Sequence, residues 1–398
     1  MSVTFPRGFR AAGTTAGMKP SGRPDLALLV ADDVCSAAGL FTTNAFAAAP
    51  VGLSRRRVSR GLARAVLVNS GQANAATGAP GDRDAETTTA AVAEALGLDP
   101  DLVLACSTGV IGEPLRVIEL LGAIPELVGS LSVEGGPVFA EAITTTDTKI
   151  KQAVTKRGSF RVGGCAKGVG MIAPDLALAT MLVFVTTDAP VAPAWIGRLA
   201  SEVLEPRFES LTVDGCTSTN DTVLLLSSGA AGGDPVVPGT PGWDEFAAAL
   251  DEVAVSLVLQ LAEDAEGAGH VVLVTVTGAE SAEDARAVAR AVADSLLVKT
   301  AVFGGDPNPG RILQAVGASG VPFPPGSVDI RIGEVPVVVA GRVPDAYFAD
   351  GGAEAARAEV EKPRVELNVS LGTGPGSSRA LGVDLSYDYV RINAEYTT

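Results

Sequence analysis

Residues 163–188, GGCAKGVGMIAPDLALATMLVFVTTD, decide the fold. Glycines flanking Lys167 lead into a short loop, and a β-branched, apolar run that begins at Thr180 is typical of a buried strand. GVGMIA from Gly168 formally matches the dinucleotide pattern G-x-G-x-x-A. That motif needs a helix directly after its glycines, but Pro174 and the strand from Thr180 leave little room for one. We therefore favour a turn followed by a buried strand.

Further predicted strands and helices lie on both sides of this stretch. Apolar runs bounded by Gly, Pro, Asp or Asn predict strands at residues 26–30, 65–69, 102–106, 180–187, 222–227, 271–277, 335–340 and 365–369. Alanine-rich segments with helical spacing predict helices at residues 83–96, 115–127, 192–204, 243–263, 282–297 and 353–360. Ser281 and Asp284 have the form of a capping box that opens the fifth helix. The two kinds of segment do not alternate strictly, which favours a layered α/β or α+β fold over a barrel. Residues 229–242 are the best linker candidate.

Composition narrows the class of protein. Of 398 residues, 47% are hydrophobic and 19% charged, which is ample material for a folded core. Thirty basic against 46 acidic residues give a net charge of −16, which argues against nucleic acid and anionic membranes as partners. Neither a secretory signal nor an apolar run of bilayer length is visible, so we expect a cytoplasmic protein. The four cysteines have no zinc-site or CxxC spacing, which predicts reduced, mostly buried thiols and no metal.

The chain has a single histidine, His270, so a base other than imidazole is expected. One solution is a threonine whose own α-amine takes the proton of its hydroxyl, because an α-amine has a pKa of about 7.7–8.0. Such a threonine must become a chain terminus. Ala179-Thr180 suits this role, since a small residue precedes a threonine at the start of a predicted strand. Threonine also favours strands for structural reasons alone, but the glycine-rich approach with Lys167 favours the catalytic interpretation.

Successive blocks of the chain resemble the ornithine acetyltransferase family, the glutamate N-acetyltransferases of arginine biosynthesis. The resemblance includes KGVGMIAPDLALATMLVFVTTD from Lys167, and it continues through blocks in the expected order over nearly the whole chain. These blocks are GFRAAGTTAGMK, FTTNAFAAAPV, LVNSGQANAATG, ACSTGVIG, TTTDTK, EGAG, VKTAVFGGDPNPGRI and SYDYVRINAEYTT. An ordered series of this kind is far more specific than any single motif.

The resemblance implies a layered αββα fold of the N-terminal-nucleophile kind, cleaved between Ala179 and Thr180. The resulting chains, residues 1–179 and 180–398, are expected to stay together as one globular unit. Thr180 is then the nucleophile and base, and Thr108 and Gly109 supply the oxyanion hole. The substrate-contact positions implied by the family are Thr145, Lys167, Thr180, Glu266, Asn393 and Thr398. On composition alone, Lys167 and Glu266 are ordinary surface charges, and Thr108-Gly109 is an ordinary turn.

The chain departs from the family pattern in three places. Lys167 and Thr180 are separated by an apparent two-residue insertion. Where the family commonly has DGEGATK, this chain has DAEGAGH from Asp264, so that His270 replaces a lysine. Where the family has DPNWG, this chain has DPNPG from Asp306. These changes bear on substrate identity more than on fold. We interpret His270 as a residue at the entry of a strand rather than as a catalyst.

The function implied is transfer of an acetyl group from N-acetylornithine to glutamate through an acetyl-threonine, without metal or nucleotide cofactor. Acetyl-CoA is a further candidate donor. Partners are expected to be small amino acids, the α and β chains of one precursor, and further copies in a symmetric homo-oligomer. Three alternatives remain at this stage: a self-processing amidase or aminopeptidase, a divergent paralogue with another amino-acid substrate, and a binding protein that never cleaves itself.

Overall fold

The computed structural model describes residues 2–173, 181–349 and 351–395. The described residues form two compact units. The first comprises residues 2–173, 181–209 and 216–261, and the second comprises residues 210–215, 262–349 and 351–395. The first unit thus contains parts of both predicted chains, 1–179 and 180–398, and their separation by cleavage stays a prediction. The linker candidate, residues 229–242, lies inside the first unit.

The first unit is built on a mixed sheet. Its strands are β1 (Phe9–Thr14), β2 (Leu26–Phe41), β3 (Leu62–Gln72), β4 (Val103–Val110), β5 (Lys151–Arg157), β6 (Phe160–Lys167), β7 (Leu182–Thr187) and β8 (Thr222–Ser227). Their order is β4-β3-β2-β8-β7-β6-β5, with β1 on β2. The pairs β3–β4 and β7–β8 are parallel, and the other pairs are antiparallel.

Helices of the first unit are α1 (Ala49–Val58), α2 (Gly78–Leu96), α3 (Val117–Gly129), α4 (Gly136–Ala142), α5 (Pro193–Leu199), α6 (Glu205–Glu209) and, up to Leu261, α7 (Pro241–Glu263). A π-helical turn, Ala200–Leu204, joins α5 to α6. Successive side chains of β2 alternate between two cores. Leu28 packs in one core with Val92 of α2 and Ile124 of α3, while Leu29 packs in the other with Phe139 of α4. Because both faces of β2 are covered there, its first residues read as a continuous apolar run.

The second unit has a five-stranded sheet. Its described strands are β9 (Val271–Ala279), β10 (Asp329–Ile332), β11 (Val335–Val338), β12 (Arg364–Ser370) and β13 (Gly376–Val383), in the order β11-β10-β12-β9-β13. Its helices are α8 (Ala282–Asp294), α9 (Leu296–Phe303), α10 (Pro309–Gly317), α11 (Asp345–Ala349), α12 (Gly352–Val360) and α13 (Tyr387–Glu395). Val288 and Val292 of α8 pack with Val274 of β9 and Leu367 of β12 in one core.

The predicted α/β class is confirmed, and so is the role of Ser281 as the cap of the fifth predicted helix. The Ser281 hydroxyl accepts a hydrogen bond from the Asp284 N–H (3.0 Å) at the start of α8. The prediction of one helix over residues 282–297 is wrong, because α8 ends at Asp294 and Ser295 caps the separate helix α9. Residues 169–171 form a bend, and no helix begins within residues 168–173, as expected for a turn rather than a dinucleotide motif.

The cysteines are free thiols, of which Cys35, Cys106 and Cys165 are buried and Cys216 is exposed. Burial raises the pKa of Cys35 to about 12. Across the described ranges, no helix is long and apolar enough to cross a membrane.

Candidate functional site

Three neighbouring strands of the first sheet place Lys167 beside the described residues that follow the predicted junction. Lys167 ends β6 and is in register with Leu182 of β7, which in turn is in register with Thr222 of β8. Ala179 and Thr180 lie outside the described residues, but Met181, which is bonded to Thr180, is fully buried. Its N–H donates to Asp221 Oδ1 (3.0 Å), and its carbonyl accepts from the Thr222 N–H (3.1 Å). The chain that follows the predicted cleavage site is therefore held rigidly.

The structure joins two of the predicted site residues directly. Lys167 Nζ donates to Thr108 Oγ1 over 3.0 Å, and the two residues are only 1% and 0% exposed. Thr108 lies near the end of β4, so this bond links elements far apart in sequence. A hydroxyl that accepts a hydrogen bond still has its own proton to donate. The pair therefore combines a buried cation with an oriented hydroxyl, which suits stabilisation of a negative charge on oxygen.

Gly109 occupies a position that only glycine fits. Its φ of 133° lies in the region that side chains rarely adopt, and a Cβ there would meet the carbonyl carbon of Gly71 at 2.2 Å. The backbones of β3 and β4 thus approach closely beside Thr108. The glycine has a structural reason to be there, whether or not its N–H serves an oxyanion.

Asp147 connects Thr145 to the buried lysines. Its Oδ1 accepts from Lys151 Nζ (2.7 Å) and from the Gly168 N–H (2.9 Å), and its Oδ2 accepts from the Thr145 N–H (3.0 Å). Burial acts to raise the pKa of Asp147, but the charges of Lys167 and Lys151 outweigh it and lower the pKa to about 2. Asp147 is therefore an anion that compensates the buried ammonium groups and fixes the loop carrying Thr145.

In the second unit, Glu266 and Asn393 come together. Asn393 Nδ2, on α13, donates to Glu266 Oε2 over 3.0 Å. The turn after Glu266 lies close against α13, since a Cβ at Gly267 would stand 2.3 Å from the Tyr389 nitrogen. Ser386 Oγ also donates to the Gly267 carbonyl (2.5 Å). The sixth substrate-contact position, Thr398, lies outside the described residues.

His270 directly precedes β9, as interpreted from the sequence. Its Nδ1 lies 2.8 Å from Oδ2 of Asp384, whose Oδ1 accepts from the His270 N–H (3.2 Å). The imidazole is thus engaged with the residue after β13 and contributes to the second unit's own packing.

A surface cavity of about 920 Å³ in the first unit lies between the end of β2, α1 and α5. None of the predicted site residues that the structure describes lines it. Within the described ranges, no cluster of three or more His, Cys, Asp or Glu residues is arranged to hold a metal ion.

Sequence reasoning missed three ionisable residues here. Asp147 was inside the block TTTDTK, and Asp221 directly precedes a predicted strand, but nothing in either pattern distinguished them from surface acids. Lys19, in the block that ends GMK, donates to the carbonyls of Pro24 (2.6 Å) and Ala142 (3.1 Å). Burial lowers its pKa to about 8, with Lys167 among the charges that act on it.

An α/β fold with a buried hydroxyl–ammonium pair at its strand ends has the features of an enzyme. Comparison with known proteins gives the family. The model of the ArgJ family matches residues 10–398. The arginine biosynthesis bifunctional protein ArgJ of Symbiobacterium thermophilum is 46% identical, over 100% of this chain and 98% of the relative. The protein of the same name from Thermosynechococcus vestitus is 44% identical over 100% and 98%.

A crystal structure of the arginine biosynthesis bifunctional protein argJ from Bacillus halodurans is 38% identical. The match covers 54% of this chain and 98% of the crystallised chain, with a TM-score of 0.49. On the family model and the two relatives together, the chain belongs to the ArgJ family. The family resemblance seen in the sequence is confirmed.

The close approach at Gly109 gives a testable consequence for stability. Gly109→Ala is expected to lower the free energy of unfolding by at least about 2 kcal/mol more than Gly112→Ala, measured by urea denaturation. Gly112 is the matched control, because its φ is also positive (87°) but no atom lies within 4 Å of an added Cβ. Equal losses for the two variants would show that β3 and β4 can separate at little cost.

Proposed function

We propose that this chain is a glutamate N-acetyltransferase that moves an acetyl group from N-acetylornithine to glutamate. The observation that carries the proposal is the buried 3.0 Å bond between Lys167 and Thr108, at strand ends adjoining Met181. Membership of the ArgJ family supports it, since the relatives are named for arginine biosynthesis.

The reaction is a double displacement. The Thr180 α-amine takes the hydroxyl proton as Thr180 Oγ1 attacks the acetyl carbonyl, and the resulting oxyanion accepts hydrogen bonds from the Thr108 hydroxyl and the Gly109 N–H. Collapse breaks the amide bond, and the nitrogen of ornithine leaves with the proton held by the α-amine. The amine of glutamate then attacks the acetyl ester and gives up a proton to the α-amine, while the same two donors stabilise the second oxyanion. Its collapse breaks the ester C–O bond, releases N-acetylglutamate, and returns that proton to the Thr180 oxygen.

The substrate contacts follow charge complementarity. An ammonium has three N–H donors, of which Lys167 gives one to Thr108, and we assign Lys167 and Thr145 to the substrate α-carboxylate. Glu266, oriented by Asn393, is assigned to the side-chain amine of ornithine. Thr398 completes the set as a proposed contact. Neither metal nor nucleotide has a role in this scheme.

Acetyl-CoA as a second donor accords with the word bifunctional in the relatives' names, and it is part of the proposal. So are a cytoplasmic location and a homo-oligomer of αβ heterodimers. A self-processing amidase would share the acyl-enzyme but resolve it with water. Measured release of acetate with and without glutamate distinguishes the two, because a transferase forms N-acetylglutamate in step with ornithine.

Self-cleavage is the first consequence to test. Intact mass measurement of purified protein is expected to give two polypeptides, residues 1–179 and 180–398. Thr180→Ala, which lacks the hydroxyl, is expected to give the full-length chain alone. Active wild-type protein that consists only of the intact chain would contradict both the cleavage and the proposed base.

Charge neutralisation tests the substrate contacts. Lys167→Met and Glu266→Gln are each expected to lower kcat/KM by roughly tenfold to 150-fold, the equivalent of about 1.5–3 kcal/mol of charge-assisted hydrogen bonding. Lys156→Met and Glu283→Gln, at exposed positions, are the matched controls and should stay near wild type. Near-wild-type kinetics for both site variants would contradict the proposed substrate contacts of Lys167 and Glu266.

The pH dependence tests the base. The value of kcat/KM is expected to rise with pH as the Thr180 α-amine loses its proton, with an apparent pKa below the usual 7.7–8.0, because the cation of Lys167 disfavours a second positive charge. His270→Gln should keep this acidic limb, since the imidazole is bonded to Asp384. Loss of the limb in His270→Gln would instead identify the imidazole as the base.

A further inference from the structure

Asp221 is a buried carboxyl group that the scheme above does not use. The residue lies directly before β8 and is 0% exposed. Its Oδ1 accepts the N–H of Met181 (3.0 Å), whereas its Oδ2 is buried with no hydrogen-bond partner among the described residues. A buried polar atom without a partner is costly and calls for an explanation.

Other buried aspartates of the first unit have a hydrogen-bond partner on each carboxylate oxygen, whereas Asp221 does not. Asp25 accepts backbone N–H groups on both oxygens, Asp188 accepts from Arg7 and from the Arg161 N–H, and Asp147 is satisfied as described above. Each of these three carboxylates is thus bonded through both oxygens. Asp221 alone among these four presents an open oxygen, and it does so beside the residue that follows the predicted junction.

Burial raises the pKa of Asp221 well above the usual value, against the opposing effects of the Lys167 charge and the Ser218 N–H. Lys167 is the charged group that acts on it, and the charge of Lys167 acts in turn on Asp147. The carboxyl group therefore keeps its proton to a higher pH than an ordinary aspartate does. A protonated carboxyl is an acid that can give a proton to a nitrogen nearby.

Covalent geometry fixes which nitrogen is within reach. Consecutive backbone nitrogens are separated by only a Cα and a carbonyl carbon, so the α-nitrogen of Thr180 lies within about 3.7 Å of the Met181 nitrogen in any conformation. Because the Met181 nitrogen is 3.0 Å from Asp221 Oδ1, this α-nitrogen is within about 7 Å of the carboxyl group. The departing nitrogen is thus only one residue away from the nitrogen that the carboxyl group already binds.

We propose that Asp221 is the proton donor for cleavage of the Ala179–Thr180 bond. The inference rests on the self-cleavage included in the proposed function. Thr180 Oγ1 attacks the Ala179 carbonyl carbon, the C–N bond breaks, and an ester forms between Ala179 and the threonine oxygen. Asp221 gives its proton to the departing nitrogen and regains one from the attacking hydroxyl. Water then hydrolyses the ester, which frees the Ala179 carboxyl group and restores the hydroxyl.

The test is the rate of cleavage, followed by intact mass after cell-free synthesis and transfer to buffers of different pH. In wild-type protein the rate is expected to fall as the pH rises through the pKa of Asp221, since the protonated form is the donor. Asp221→Asn is expected to slow cleavage at least about a hundredfold and to lose that pH dependence. Asp188→Asn, a fully buried aspartate after the other end of β7, is the matched control and should cleave as wild type does.

Thermal stability and chemical rescue of cleavage distinguish a proton donor from a residue with a purely structural role. An amide is isosteric with a protonated carboxyl, so Asp221→Asn should unfold near the wild-type temperature. Asp221→Ala, purified as the whole chain, should regain cleavage in formate, and more at lower pH, because formic acid replaces the missing donor. Failure of this rescue by protein that is folded would overturn the proposal.

The outcomes distinguish the two proposals. Wild-type protein that cleaves while Asp221→Asn cleaves at the same rate contradicts only the role of Asp221. Wild-type protein that never cleaves contradicts the proposed self-processing and this inference with it.

Discussion

A positive charge is buried where Lys167, at the end of β6, meets Thr108, near the end of β4, and the neighbouring groups compensate this charge. Removing an ammonium from water is costly unless hydrogen bonds and opposite charges replace the lost hydration. Lys167 is 1% exposed, and it is compensated by the Thr108 hydroxyl and by the charge of Asp147. Asp147 also binds Lys151 and the Gly168 N–H, so that the same carboxylate fixes the glycine-rich turn. Loss of this arrangement would disturb both the charge balance and the loop leading to the junction.

This constraint also explains why the pKa values of two buried carboxyl groups near Lys167 differ so much. The pKa of Asp147 is lowered to about 2 because two lysines act on it, whereas burial dominates at Asp221 and raises its pKa. Two aspartates under the influence of Lys167 therefore have pKa values that are shifted in opposite directions. Environments that separate the pKa values of similar groups are a recurring feature of sites that handle protons.

Several features of the fold could be predicted because they depend on local chemistry. Strand β8 was predicted with the observed ends, and Ser281 caps α8 as its pairing with Asp284 indicated. Strands β1, β5, β6, β10 and β13 were not predicted. β5 carries an exposed, charged face (KQAVTKR), and β6 contains adjacent glycines, so neither has the apolar pattern that identifies a buried strand.

Long-range pairing limits what the sequence can predict of the site. Thr108, Lys167 and Glu266 came from the family resemblance, whereas composition alone gave no reason to prefer them to surface residues. Asp221 and Asp147 acquire their properties from burial and from contacts with distant segments, such as the bond from Met181. No local pattern carries such information, because the sequence shows only that residue 221 is an aspartate and not whether its carboxyl group is buried or exposed.

The order of the first sheet accounts for how two chains cut at the proposed bond would remain together. Strands β7 and β8 follow the bond, whereas β1 to β6 precede it, yet β8 pairs with β2 and β7 pairs with β6. The two strands of the second chain are thus inserted between strands of the first, with hydrogen bonds on both outer edges. Their side chains also share a core with the first chain, since Phe184 and Leu224 pack with Phe139 and Leu29. Cutting the Ala179–Thr180 bond removes none of these contacts, so cleavage changes the chemistry of one terminus while the sheet contacts of β7 and β8 persist.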